Sequence, residues 1–355
     1  MNNKGLVAIC ISTYQKVDYI KRLLDSIKIQ TYKDFVVIIS DDTEDSSIEE
    51  VIINYKDIKI DYHRNSKKLG PTCNTNNAIK LAQKYNPEFI KVMHHDDCFS
   101  TPDSLFKMVQ IIDNNPNVDL VFTATIIKSP QKEYVRLHTE QEWKNYSEDF
   151  RNIYSFNYIG GPSATIVRNN GILMDSNLVW YVDAEWYLQL LSRNKEIIYI
   201  KEPLITINIS DTQVTNACMY NPKLCIDEVI YIYIKYSFLH ENKYKNFLIE
   251  TIERQGHRLN IIENCKEKRV YIYGAGGMGQ GCAKFLEKNS IDFKGFIVSD
   301  NQNYQELVMG HKVYTLSEFN SLQCEDKKII LALNEVNKKE VINSLNDYNL
   351  DYICY

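Results

Sequence analysis

The sequence predicts an α/β protein with a doubly wound sheet in its first part and a second, smaller α/β domain at its end. Two observations predict this class. Apolar runs alternate with helical stretches as far as residue 124, which is typical of βα units. A new strand, a glycine-rich turn and a helix then begin near residue 268. We therefore predict three parts: a first α/β domain over residues 1–215, a helical linker and packing region over 216–266, and a small α/β domain over 267–355.

The elements of the first part follow from hydrophobic periodicity. The runs LVAICI and FVVII are typical of buried strands, and the stretch between them has apolar residues at helical spacing on one face. The same alternation continues along the chain. We predict strands over 6–11, 35–39, 58–62, 89–93 and 119–124, and helices over 18–29, 46–55, 74–85 and 102–113.

Composition and charge narrow the class of protein. The 355 residues are 44% hydrophobic and 25% charged, and the formal net charge of −5 gives no electrostatic reason to expect nucleic acid. No apolar run approaches the roughly 18 residues of a membrane span, and the start does not resemble a signal peptide. The nine cysteines form no CxxC pair, so we expect them to be reduced. We expect a cytoplasmic protein with at most peripheral membrane contact.

Polar residues follow three of the predicted strands. Ser12 and Thr13 follow the first strand, Asp41 and Asp42 follow the second, and the residues 94–97 follow the strand at 89–93. The carboxyl ends of parallel strands meet at one edge of a sheet, where ligands of such sheets bind. We therefore predict that the three clusters face one crevice.

The sequence HHDD at 94–97 is the most unusual of these clusters. If the strand continued, alternation would place His94 with Asp96 on one face and His95 with Asp97 on the other. Carboxylate oxygens suit Mg²⁺ or Mn²⁺, especially when phosphate oxygens complete the coordination shell. The histidines also permit zinc, but no third strong ligand stands at a recognisable spacing.

Six segments, in order, resemble the family 2 glycosyltransferases with the GT-A fold, a fold with a mixed sheet. The resemblance spans about residues 5 to 215. The segments are VAICISTYQKVDYIKRLLDSIKIQTYKDFVVIISDDTED, RNSKKLGPTCNTNNAIKLA, MHHDDCF, IGGPSATIVRN, YVDAEWYLQLL and IIYIKEPLITINISDTQVT.

The resemblance implies an inverting enzyme that moves a sugar from a nucleotide-diphosphate donor, with a UDP-sugar as first choice, to a hydroxyl of a glycan, lipid or protein. It implies that Asp183 is the general base and that Asp96 and His94 bind Mn²⁺ or Mg²⁺. The implied nucleotide and donor residues are Thr13, Tyr14, Asp41, Asp42, Asn65, Gly70, Asn74 and Asp96. The implied residues of the acceptor and sugar pocket are Gly161, Pro162, Ser163, Glu185 and Trp186.

Two positions depart from the family pattern. His94 stands where the metal motif often has its first aspartate, so metal affinity or choice is expected to differ. The second departure is Ser210 or Asp211, which falls where many relatives have a histidine. The contact that this histidine makes in the relatives is therefore not implied for this chain.

The remainder of the chain is less specific. The segment at 226–239 has a broad apolar face, which we expect to pack on the catalytic domain or on a second subunit of a homo-oligomer. The motif GAGGMG then follows a strand and opens a helix, which predicts a small Rossmann-like domain. A possible second nucleotide site there comprises Gly274, Gly276, Gly279 and Asp300.

Three alternatives remain open at this point. An NAD-dependent oxidoreductase built on the C-terminal glycines leaves two-thirds of the chain unexplained. A nucleotidyltransferase needs a glycine-rich, basic loop after its first strand, and STYQKVDY is not one. A non-catalytic sugar-nucleotide-binding protein differs from an enzyme only in whether it turns over a sugar nucleotide.

Overall fold

A computed structural model describes residues 5–209, 215, 218–300, 302–322, 326–348 and 350–355. The chain divides into two compact units. The first unit comprises the described residues as far as 209 together with Ile232–Tyr244. The second unit comprises the described residues between 214 and 231 and those from Lys245 onwards. The segment predicted as a linker, 216–266, is thus shared between the two units.

The first unit is built on a nine-stranded mixed sheet. Its strands are β1 (Val7–Thr13), β2 (Phe35–Asp41), β3 (Ile60–Arg64), β4 (Phe89–His94), β5 (Cys98–Phe99), β6 (Leu120–Lys128), β7 (Glu133–Arg136), β8 (Thr165–Arg168) and β9 (Ile197–Asn208). Its helices are α1 (Val17–Lys28), α2 (Ser47–Ile52), α3 (Pro71–Ala82), α4 (Ser104–Asp113), α5 (Glu140–Glu148) and α6 (Val182–Arg193). Two further helices, α7 (Pro222–Lys235) and α8 (Asn242–Cys265), contribute residues to both units.

The strand order is β3-β2-β1-β4-β8-β6-β9-β5, with β7 paired to β6. The four strands from β3 to β4 are parallel, as expected for βα units. Antiparallel pairing begins where β8 joins β4 and β6. The prediction of a mixed, doubly wound α/β sheet is confirmed.

The hydrophobic pattern accounts for the packing of this unit. All seven residues of β2 are buried, because helices cover both faces of a parallel sheet. Helix α1 buries Ile20, Leu23, Leu24 and Ile27, which are the apolar residues at helical spacing. Helix α3 begins earlier than the predicted residue 74, because Pro71 suits the first helical turn and Gly70 precedes it with a positive φ of 83°.

The second unit contains a six-stranded sheet. Its elements are β10 (Arg269–Tyr273), α9 (Gly277–Lys288), β11 (Phe293–Val298), β12 (Leu307–Val308), β13 (His311–Thr315), α10 (Leu316–Asn320), β14 (Lys327–Leu331), α11 (Glu335–Asp347) and β15 (Tyr352–Cys354). The order is β12-β13-β11-β10-β14-β15, and each pair is parallel except β12 with β13. That residues 267–355 form a Rossmann-like domain stays a prediction.

The glycines of the GAGGMG motif have packing roles in this sheet. A Cβ on Gly279 would lie 1.7 Å from the Gly274 carbonyl oxygen, so α9 approaches β10 too closely for a side chain. Gly274 has a φ of 108°, and its Cβ would lie 2.7 Å from the Ala332 oxygen. Gly276 stands directly before α9. Asp300 accepts hydrogen bonds from the amide (2.9 Å) and hydroxyl (2.7 Å) of Ser317. The motif thus has a structural reason that needs no ligand.

Two further findings concern the whole described chain. No helix in it has the combination of length and apolar character needed to cross a bilayer. Its eight cysteines are free thiols, as expected, while Cys324 lies outside the described residues.

The two glycines of α9 at 279 and 281 provide a matched test of this packing. Gly279→Ala should lower the free energy of unfolding by about 2 kcal/mol or more, because the backbone of Gly274 must move. Gly281→Ala meets no atom within 4 Å and should raise it by about 0.5–1 kcal/mol, because alanine favours a helix. Urea unfolding of both variants measures the difference. Equal free energies of unfolding in the two variants would contradict the close approach of α9 to β10.

Candidate active site at the carboxyl edge of the first sheet

The polar clusters that follow β1, β2 and β4 lie side by side. Thr13 is in register with Asp41 across the β1–β2 pair, and Ser12 is in register with His94 across β1–β4. The predicted convergence of the three clusters is therefore confirmed. It follows from parallel pairing, which aligns the carboxyl ends of the strands.

The alternation expected within HHDD is wrong, because β4 ends at His94 and the chain turns. The Asp97 amide donates to the His94 carbonyl at 3.1 Å, and the His94 Nδ1 lies 4.0 Å from an Asp97 carboxylate oxygen. One ligand atom each from His94, Asp96 and Asp97 lie within 4.8 Å of one another. The turn thus gathers an imidazole and two carboxylates into one group.

Asp97 is the buried member of this group, with 2% of its surface exposed. Burial, followed by the neighbouring charge of Asp96, raises the pKa of Asp97 to about 7, and His94 acts in the opposite direction. A carboxylate in this position needs a proton or a cation to offset the cost of its charge. Two carboxylates and an imidazole suit Mn²⁺ or Mg²⁺, so the residues present fit a divalent metal.

A buried lysine connects this group to the segment predicted on the acceptor side. Lys91 is fully buried in the middle of β4 and donates to the carbonyl oxygen of Ser163. Burial lowers the pKa of Lys91 to about 7, while Asp97 opposes that shift. The Ser163 hydroxyl in turn accepts a hydrogen bond from the His94 amide at 2.9 Å. These bonds fasten the segment Gly161–Ser163 beside the metal-type cluster.

Four of the residues predicted for the nucleotide, Asp42, Asn65, Gly70 and Asn74, form one hydrogen-bonded network. The Asp42 carboxylate accepts from the amides of Leu69 (3.0 Å) and Gly70 (2.9 Å) and from the side chain of Asn65 (2.9 Å). Asn65 also donates to Asn74 at 3.0 Å. The 65–74 segment is therefore held against the end of β2 by the second aspartate of the Asp41-Asp42 pair.

Other predicted donor residues line the same edge in different ways. Thr13 Oγ1 lies 3.0 Å from His95 Nδ1, and its carbonyl accepts from Asn74 at 3.1 Å. The Tyr14 ring lies beneath the Lys68 ammonium, 3.8 Å from the ring centroid. The Asp41 carboxylate is fully buried and accepts from the Thr43 amide and the Tyr62 hydroxyl, both at 2.8 Å. Asp41 thus lies beneath the surface of the site and stabilises it through these two hydrogen bonds.

The predicted base, Asp183, is the second residue of α6 and is partly exposed. Burial raises the pKa of Asp183 to about 6, and His94 acts in the opposite direction. His94 therefore interacts with both the buried Asp97 and Asp183. A carboxylate that titrates near pH 6 is suited to accept a proton at neutral pH.

The family model for glycosyl transferase family 2 matches residues 8–171, which contain the three strand ends and the HHDD turn. The predicted resemblance to the family 2 glycosyltransferases is thus confirmed over these residues. An uncharacterised glycosyltransferase of Methanocaldococcus jannaschii is 24% identical over 213 residues, covering 58% of this chain and 72% of the relative. Abequosyltransferase RfbV of Salmonella typhimurium is 29% identical over 160 residues, covering 42% and 46%.

Solved structures show which fold this glycosyltransferase has. TarS 1–349 of S. aureus, in complex with UDP-GlcNAc, has a TM-score of 0.52 at 16% identity, covering 80% of this chain and 79% of that one. A mannosyltransferase of Pyrobaculum calidifontis, in complex with GDP-Man and Mn²⁺, has a TM-score of 0.51 at 12% identity, covering 74% and 76%. The predicted GT-A type of fold is confirmed.

Two predicted pocket residues of the glycosyltransferase lie in its interior. Glu185 is fully buried, and its Oε1 accepts from the ammonium of Lys235 at 2.6 Å and the hydroxyl of Tyr236 at 2.5 Å. Trp186 is 1% exposed, and its indole N–H donates to the Ile172 carbonyl at 3.4 Å. In this structure both side chains connect α6 to the protein interior through these buried contacts.

Sequence reasoning missed several residues of the glycosyltransferase site. Lys91 had a signal, because a lysine interrupts the apolar strand FIKVM. Asp97 was assigned to the wrong face of a strand that does not continue. Asn208, at the end of β9, donates a hydrogen bond from its side chain to the Asp96 carbonyl (2.8 Å) and one from its backbone amide to the Asp97 carboxylate (3.2 Å). No local pattern predicts these contacts. The positions Ser210 and Asp211 lie outside the described residues.

Proposed function

We propose that this protein is a metal-dependent, inverting glycosyltransferase that uses a nucleotide-diphosphate sugar and a hydroxyl acceptor. The observation that carries the proposal is the grouping of His94, Asp96 and Asp97 within 4.8 Å of one another at the end of β4, with Asp183 as a separate carboxylate on α6. This reaction needs carboxylates that bind a cation and a separate carboxylate that accepts a proton.

The two structural neighbours support a donor of this class. TarS was crystallised with UDP-GlcNAc, and the Pyrobaculum mannosyltransferase with GDP-Man and Mn²⁺. We propose a uridine nucleotide for this chain, with Asp42 and Asn65 reading the base and Thr13 and Tyr14 alongside. The acceptor is proposed to be a hydroxyl of a glycan, lipid or protein.

The metal-type cluster has a separate role from the base. His94, Asp96 and Asp97 are the residues that would hold Mn²⁺ or Mg²⁺. A divalent ion bound there would stabilise the charge that develops on the diphosphate leaving group. The buried Lys91 keeps the Ser163 carbonyl beside this cluster, so that the segment Gly161–Ser163 forms a wall of the pocket.

Asp183 is proposed to take the proton of the acceptor hydroxyl. A hydroxyl is a weak nucleophile until a base accepts its proton, and a pKa of about 6 leaves Asp183 ionised at pH 7 or above. Attack in a single displacement inverts the anomeric centre. Glu185, the other acid in the first turn of α6, is fully buried and is therefore less suited to this role.

Asp96→Ala tests the metal site. Mn²⁺ at about 100 times its Kd should stabilise the wild-type protein by about 2.7 kcal/mol, and this gain should be lost in the variant together with Mn²⁺-dependent nucleotide binding. Thermal unfolding with and without Mn²⁺ measures the effect. Asp34→Ala, an exposed aspartate just before β2 at the opposite end of the strands, serves as the control. His94→Ala should show a smaller loss. A normal Mn²⁺ response in Asp96→Ala would refute the assignment.

The Mn²⁺ effect should also depend on pH, with a sign that follows from Asp97. Its folded-state pKa is raised to about 7, so ionisation of Asp97 destabilises the metal-free protein as pH rises from about 4 through 7. A cation favours the ionised form and competes with the proton. Mn²⁺ should therefore raise Tm more at pH 8 than at pH 6, and an equal or opposite response would contradict this account.

Asp183→Asn tests the base. Turnover should fall by roughly 10²–10⁴-fold, because asparagine cannot accept the proton, while donor affinity should stay nearly unchanged. In the wild type, kcat/KM should rise with pH through about 6, and a bound cation would move this rise to lower pH. Acceptor-dependent turnover and donor calorimetry measure both effects. Glu196→Gln, an exposed acid just beyond α6, is the control. Wild-type turnover in Asp183→Asn would mean that another group is the base.

A further inference from the structure

Residues Ile232–Tyr244, here called the clasp, belong to the first unit although flanking segments on both sides belong to the second. The clasp contains the end of α7, a short 3₁₀ turn at Ser237–Leu239 and the start of α8. It lies well beyond residue 171, where the family match ends. Its position in the first unit raises the question of what it does there.

One end of the clasp holds the helix that carries the proposed base. Lys235 Nζ donates to Glu185 Oε1 and to Asp175 Oδ2, both at 2.6 Å, and the Tyr236 hydroxyl donates to the same Glu185 oxygen at 2.5 Å. Glu185 lies two residues after Asp183 in the first turn of α6. The clasp therefore reaches the same helical turn as the proposed base, from the inner side.

The other end of the clasp is fastened independently. Tyr244 donates its hydroxyl to Asp149 at 2.7 Å, and Arg151 donates to the Phe238 carbonyl at 3.0 Å and forms an ion pair with Glu241. Loss of a contact at Lys235 or Tyr236 would thus leave the clasp anchored through these bonds. This separation makes it possible to test the first set of contacts without releasing the segment.

The contacts of Glu185 are demanding because the carboxylate is fully buried. Its Oε2 atom makes no hydrogen bond to any described residue, so the compensation of its charge rests on Oε1. Burial lowers the pKa of Lys235, but the hydrogen bonds that its ammonium donates to Asp175 and Glu185 outweigh this and raise the pKa, which keeps the ammonium charged. Removing one partner of a buried ion pair leaves the other uncompensated and forces local rearrangement.

The first turn of α6 contains both Asp183 and Glu185. No side-chain hydrogen bond caps the helix at Tyr181, within the part of the chain that is described. A helix is stiff over one turn, so the rotation of Glu185 about the helix axis also sets the direction of Asp183. An error of about 1 Å in the position of a reacting group can cost about 100-fold in rate.

We propose that Lys235 and Tyr236 are positioning residues, which hold Glu185 so that the first turn of α6 directs Asp183 at the acceptor. The inference rests on the proposed function, because it takes Asp183 as the base. It also assigns a catalytic role in the first unit to the clasp, which belongs to the segment predicted as a linker.

The test uses the whole 355-residue chain with Lys235→Met and Tyr236→Phe. Turnover at saturating substrates should fall by about 10- to 100-fold in Lys235→Met and less in Tyr236→Phe, which removes only the hydroxyl. The Kd of the donor should change by no more than about twofold, because the proposed donor residues lie on other elements than α6 and the clasp. Lys235→Arg should recover part of the turnover by restoring the cation. Lys223→Met, an exposed lysine at the start of the same helix, should behave as wild type.

A double-mutant cycle shows whether Lys235 acts through Glu185. Lys235→Met should cost much less turnover when Glu185 is already glutamine than it does in the wild type. Equal losses in the two backgrounds would overturn the inference.

The remaining outcomes separate this inference from the proposed function. Normal turnover in Lys235→Met, with Asp183→Asn inactive, would overturn the positioning role and leave the base in place. Loss of donor binding and turnover together in Lys235→Met would indicate only a structural role and would also overturn it. Full activity of Asp183→Asn would instead refute the assignment of the base.

Discussion

The parallel pairing of β1 with β2 on one side and β4 on the other is the constraint on which the candidate site depends. It places Thr13 beside Asp41 and Ser12 beside His94. Three clusters that are up to about 80 residues apart in the sequence thereby share one edge. Any shift in this register by one residue would turn alternate side chains to the opposite face of the sheet. The buried apolar residues of β1 and β2 oppose such a shift.

The second constraint is electrostatic. Two carboxylates lie within reach of one another at the end of β4, one of them buried, and the nearby buried Lys91 is directed at a backbone carbonyl. Because Lys91 is directed at the Ser163 carbonyl, the two carboxylates favour the binding of a cation or a proton. His94 acts to lower the pKa of both Asp97 and Asp183, and so links this cluster to the proposed base. The binding of a cation and the acid strength of the proposed base are therefore expected to be coupled.

Local patterns predicted much of the first sheet and the position of its polar edge. The strands β1, β2 and β4 and the apolar face of α1 follow directly from periodicity, because burial on both faces leaves a continuous apolar run. The HHDD geometry was not predictable in this way, since the alternation rule fails once a strand ends. The contacts of Glu185 with Lys235 and Tyr236 were also beyond local reasoning. They join residues 50 and 51 positions apart, and the sequence at 226–239 shows only an apolar helix face.

The most direct test of the account is a thermal-shift comparison of UDP-, GDP- and dTDP-sugars, each with and without Mn²⁺. A ligand that binds the folded state raises Tm by mass action. The account predicts that a UDP-sugar raises Tm strongly with Mn²⁺ and weakly without it. An unchanged Tm with every nucleotide sugar, in the presence and absence of Mn²⁺, would contradict the central claim that this edge of the sheet binds a metal and a sugar nucleotide together.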